Sequence, residues 1–129
     1  QISPAGTPPA KPKGQAFEIF RIGNDSAVSN GGTTAKFKTD KNIWVTELWT
    51  YHFNNGSGQT PGTIAIRADN GTTYGPWPAT PLNKVYWGTK PEFLLPAGSY
   101  SVIDSDPATW SQNGGSGGQG MSWMSGIVQ

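Results

Sequence analysis

The 129-residue sequence contains no cysteine. That excludes a disulfide framework, a thiolate metal site and a cysteine nucleophile. Charge is scarce too: 13% of residues carry it, and the formal net charge is +1. A nucleic-acid surface needs clustered Lys and Arg against phosphate, so nucleic acid is not an expected partner. The one small basic cluster, Lys36, Lys38 and Lys41, has Asp40 within it and reads as a solvated strand face. No apolar run approaches the roughly 20 residues that span a bilayer as a helix, so the chain is not expected to be membrane-spanning. Leucine is scarce, and nothing reads as a long amphipathic helix.

Gly, Ser, Thr, Asn and Pro abound, alongside six tryptophans. This is a turn-rich, strand-rich composition. The proline-rich lead, residues 1–15, reads as an extended arm or linker, with Ile2 as its one large apolar anchor. Residues 16–129 read as one domain. Short β-rich runs are expected at 16–22, 34–39, 42–53, 62–68, 73–77, 85–88, 92–95, 99–104 and 120–128. Asp69-Asn70-Gly71-Thr72 predicts a hairpin turn, because Asn-Gly tolerates positive φ. In the longest run, Ile43, Val45, Glu47, Trp49, Tyr51 and Phe53 are assigned to one face by alternation. Strands at this spacing, separated by Gly/Pro/Asn turns, predict an all-β antiparallel two-sheet β-sandwich, jelly-roll-like, of eight or nine strands.

Catalytic signals are sparse. The single histidine, His52, sits mid-strand among aromatics and reads as structural, because a base needs a nucleophile and an orienting partner. No G-x-S-x-G, H-E-x-x-H or P-loop occurs. Asp104 and Asp106 share a strand face about 7 Å apart, so they are a possible hydrolytic pair. They suit calcium better, with Asn113 and loop carbonyls supplying further hard oxygens. Otherwise Asp104 and Asp106 cap the turn at Pro107. The expected cofactor is therefore none, or Ca2+, and the chain is expected to be no enzyme. The glycine run Gly114–Gly120 lacks the Lys and helix of a phosphate cradle; it reads as a mobile connection or a point of close approach.

Tryptophan carries the strongest signal, because its apolar face can lie against a sugar while neighbouring polar groups bond the hydroxyls. Trp77, Trp87 and Trp110 lie in or near loops, with Tyr74 and Tyr86 close by. Gln112, Asn113, Asn83 and Asp106 offer polar company. Trp110 and Trp77, flanked by Pro and Gly, are expected to be exposed stacking platforms. Trp44, Trp49 and Trp123 are expected in the core.

The run LPAGSYSVIDSDPATWSQN (residues 95–113), with Trp49–Phe53, Pro61–Ile64 and Tyr74–Trp77 upstream, resembles a segment of exported, often multi-domain prokaryotic surface proteins. More loosely, the domain resembles β-sandwich carbohydrate-binding modules of secreted polysaccharide-degrading systems. These resemblances imply an extracellular or cell-surface location and a polysaccharide or cell-surface glycan as partner. The start at Gln1 suits a mature form after signal removal or a piece of a longer chain. A self-assembling subunit of a filament, sheath or surface layer, a homo-oligomer through residues 1–15 or the sheet edges, is the alternative function.

Overall fold

A computed structural model describes residues 10–129. Ile2 and the rest of residues 1–9, the first part of the expected arm, lie outside the described residues. Among the described residues ten strands form: β1 (Phe17–Ile22), β2 (Ala35–Thr39), β3 (Ile43–Tyr51), β4 (Thr63–Ala68), β5 (Thr73–Pro78), β6 (Thr80–Leu82), β7 (Tyr86–Thr89), β8 (Phe93–Leu95), β9 (Gly98–Asp104) and β10 (Ser122–Val128). All nine expected runs are present. The additional strand, β6, is three residues long with Pro81 at its centre, a composition that gives no strand signal away from a sheet edge.

The strands make two antiparallel sheets. One runs β1-β10-β3-β7-β6, with β8 continuing β7's line along β3; the other runs β2-β9-β4-β5. This is the strand order of a jelly roll, with β6 added at one edge. Ile43, Val45, Leu48 and Met124 from the larger sheet meet Phe37, Ile64, Ile66, Tyr100 and Val102 from the smaller. Each such buried side chain contributes about 1.5–3 kcal/mol relative to exposure.

Two bulges decide which side chains face solvent. Along β3, Ser125 opposes Glu47 and Gly126 opposes Val45, which leaves Thr46 as an extra residue. The bulge breaks the strict alternation expected for this strand. Ile43 and Val45 face the core, then Leu48, Thr50 and His52 take over. Glu47, Trp49 and Tyr51 turn to the outer face. On β1 the register shifts between Glu18 and Phe20, with Ile19 as the extra residue. That brings Glu18 and Arg21 to one face, where Arg21 Nε donates to Glu18 Oε1 at 2.7 Å.

The sheet edges differ. Pro76 and Pro78 sit in edge strand β5, and Pro81 in β6, where they remove backbone donors. On β2, the Lys36 amide already donates to Gln119 Oε1 at 2.9 Å. Lys36 and Lys38 stand exposed, as expected for a solvated face.

Candidate functional site

The two bulges leave an aromatic strip on the outer face of the six-stranded sheet. Trp49 of β3 and Trp123 of β10 are cross-strand partners, with ring centroids 6.2 Å apart and planes within 9°. Tyr86 of β7 meets Trp123 edge-on at 5.7 Å and stacks on Tyr51 at 5.1 Å. Phe53 continues the strip, 6.0 Å from Tyr51. The Arg21 guanidinium lies 5.0 Å over the Trp123 ring. Trp49 can lie against the sheet because its cross-strand neighbour is Gly88; a Cβ there would come within 2.4–2.6 Å of three Trp49 ring carbons.

Together with the loop Gly23–Val28, the strip lines a groove of about 1010 Å³. Trp49, Tyr51, Tyr86 and Trp123 are half-buried in it. Phe53 at 39% and Leu82 at 49% are more exposed. Burial, and next the neighbouring Tyr86, push the Tyr51 phenol above its ordinary pKa. The loop wall is braced by a reciprocal amide pair. Asn24 Nδ2 donates to Asn113 Oδ1 at 3.0 Å, and Asn113 Nδ2 donates to Asn24 Oδ1 at 2.8 Å.

Of the aromatic residues expected from sequence to bind a ligand, Tyr86 alone lines this groove. Trp110 is 1% exposed, not an exposed platform. Its Nε1 donates to the Met121 carbonyl at 2.9 Å, and its ring is seated against Gly32 and Gly120. Flanking Pro and Gly therefore marked a loop that folds inward, not one that displays its indole. Trp87, also 1% exposed, stacks on His52 at 3.7 Å and donates through Nε1 to the Gln59 carbonyl. Trp77 and Tyr74 are half-buried; each packs against Phe93 at 5.1 Å, filling space beside the core. Trp44 is buried, as expected, with Nε1 donating to Glu92 Oε2 at 2.6 Å. Trp49, expected inside, faces the groove because of the Thr46 bulge, and Trp123, also expected inside, shares that face as its cross-strand partner.

The polar candidates are engaged structurally. Gln112 Nε2 donates to the Asn30 carbonyl at 3.0 Å. Asn113 caps the short 3-10 turn Gly114–Ser116 besides pairing with Asn24. Asp104, expected as a metal ligand, is buried: Oδ2 meets His52 Nε2 at 2.7 Å, and Oδ1 accepts the Asp106 amide at 2.8 Å. Asp104 thus makes the turn-capping bond that was its other reading, and its second oxygen is engaged by His52. Among the described residues no three His, Cys, Asp or Glu side chains come together as a metal site. The Gly114–Gly120 run includes the close approach anticipated for it, at Gly120 beneath the Trp110 ring.

His52 Nδ1 lies 2.8 Å from Thr109 Oγ1, so Asp104, His52 and Thr109 form one buried chain. With Asp104 ionised, Nε2 carries the proton and Nδ1 accepts from the Thr109 hydroxyl. The imidazole is sealed at 0% exposure under Trp87, which denies a substrate access to it. The chain ties the end of β3 to the loop after β9. Alongside it, Ser111 N donates to the Tyr51 carbonyl at 2.9 Å, Tyr51 N donates to the Met121 carbonyl at 3.1 Å, and Phe53 N donates to Ser111 Oγ at 2.9 Å. The segment 104–121 thus holds Tyr51 and Phe53 in place from behind the groove. No protein-family model, curated protein or solved structure matches the chain.

Proposed function

We propose that this domain is a non-catalytic glycan-binding module of an exported protein, and that the aromatic groove is its binding surface. One observation carries the reading. Trp49, Trp123, Tyr86, Tyr51 and Phe53 form a continuous strip on the outer side of a sheet whose core is complete without them. A grouped, partly exposed aromatic surface in a concave site is an interaction surface more often than a folding requirement. The jelly-roll fold and the resemblance to carbohydrate-binding modules favour sugar as the ligand. Trp49→Ala and Trp123→Ala should each weaken retention on a bound polysaccharide by about 10- to 100-fold, the loss of an aromatic anchor. Affinity electrophoresis measures this; folded variants with unchanged mobility shifts refute the assignment.

The β1 edge favours a second reading, assembly with another copy. Its sequence FEIFRI is self-complementary about a two-fold axis between Ile19 and Phe20. Phe17 would oppose Ile22 and Glu18 would oppose Arg21; the Ile19 bulge places the last two on one face. Glu18→Arg and Arg21→Glu should each abolish such a dimer in sedimentation velocity, and the double exchange should restore it. A monomeric parent protein at all concentrations rules the pairing out.

A further inference from the structure

The charge pattern of the groove narrows the class of glycan. Among the described residues, Arg21 and Asp25 are the only charged ones lining it. Arg21 is committed on two sides: Nε donates to Glu18 Oε1 at 2.7 Å, and the guanidinium lies 5.0 Å over Trp123. A ligand carboxylate or sulfate would meet there a cation whose charge Glu18 already balances. Asp25 is exposed on the loop wall and has no ion pair among the described residues. Its neighbour Asn24 is spent on the loop itself, bonded to Asn113 and accepting the Ser26 amide at 3.0 Å. The phenol of Tyr51, held above its ordinary pKa chiefly by burial, adds no charge at neutral pH. The groove therefore presents an uncharged aromatic face, one neutralised cation and one uncompensated carboxylate.

Such a surface disfavours polyanions and favours hydroxyl donors. A carboxylate accepts charge-assisted hydrogen bonds and can engage two neighbouring hydroxyls of one sugar ring. A uronate or sulfate at the same place would bring like charges together in a groove where water screens them only in part. We infer that the ligand is a neutral polysaccharide, with Asp25 accepting from its hydroxyls while its sugar rings lie on the Trp49–Trp123–Tyr86 strip. This rests on the glycan-binding reading and adds the ligand's charge class and its polar contact.

The test sets the intact chain against a panel of soluble polysaccharides in affinity electrophoresis at physiological salt. Neutral glucans, xylans, mannans and galactans form one arm; polygalacturonate, alginate and a sulfated glycosaminoglycan form the other. Trp49→Ala and Asp25→Asn are run on whichever polymer binds. The expected result is retention on at least one neutral polymer and on none of the acidic ones. Asp25→Asn should weaken that retention roughly tenfold, as for loss of a hydrogen bond to a charged group, and Trp49→Ala should lower it as well. Asp25 lies outside the Asn24–Asn113 brace, so the Asn variant keeps the loop's hydrogen bonds. Retention on an acidic polymer that Trp49→Ala abolishes overturns the neutral class and leaves the glycan reading intact. Retention on a neutral polymer untouched by Asp25→Asn overturns the role given to Asp25. Retention on no polymer overturns both readings together.

Discussion

Trp110→Ala should lower the unfolding free energy by about 4 kcal/mol, the middle of the range for a buried aromatic truncated to alanine. The indole is 1% exposed, belongs to the core cluster and donates to the Met121 carbonyl at 2.9 Å. Removing it deletes a large apolar volume and takes away one of that carbonyl's two donors, leaving only the Tyr51 amide. The same seat can be damaged from the other side. A Cβ on Gly120 would lie 1.9–2.4 Å from three Trp110 ring carbons, so Gly120→Ala must displace the ring or the strand entering β10. Urea unfolding of both variants measures the effect. A loss below about 1 kcal/mol for Trp110→Ala would show that this indole is not the seal described here. Because Ser111 and Met121 hold Tyr51, the damage should reach the groove, although Trp110 does not line it.

The second large effect is expected at Asp104. Asp104→Ala should cost about 3 kcal/mol of stability, in the range seen when one partner of a buried polar pair is removed. The carboxylate closes two bonds at once, to His52 Nε2 at 2.7 Å and to the Asp106 amide at 2.8 Å. Alanine satisfies neither, and His52 at 0% exposure has no water to turn to. Asp104→Asn offers a side-chain oxygen to one of the two groups and should fall between parent and alanine. Equilibrium denaturation ranks the three. An alanine variant as stable as the parent would mean that the pair is dispensable, and that the segment 104–121 is held by Trp110 and its backbone bonds alone.

Much of the architecture was legible in the sequence. Nine of the ten strands were located from β-rich runs between Gly, Pro and Asn, and Asp69–Thr72 is the hairpin turn its Asn-Gly predicted, with Gly71 at φ 94°. β6 was not legible, because Thr80-Pro81-Leu82 becomes a strand only by pairing with β7. The site was read less well. Tyr86 is in the groove, but Trp110 and Trp87 are sealed, and Trp49 and Trp123 exchanged places with them. One signal was available: Trp49, Tyr51 and Phe53 recur at alternate positions, which is one sheet face. The alternation grouped them with Ile43 and Val45, however, and so gave no cue that they had left the core.

Local chain chemistry determined what depends on neighbours in sequence: the scarcity of helix, the positions of strands and turns, and hence a two-sheet sandwich. Tertiary structure alone decided which side of each strand meets water. A single extra residue at Thr46 reverses the face of everything beyond it, and its presence depends on pairing with β10, more than 70 residues away in the chain. Tertiary packing likewise drew Trp110 inward, because Gly120 in its own loop and Gly32, far back in the chain, left room for its ring.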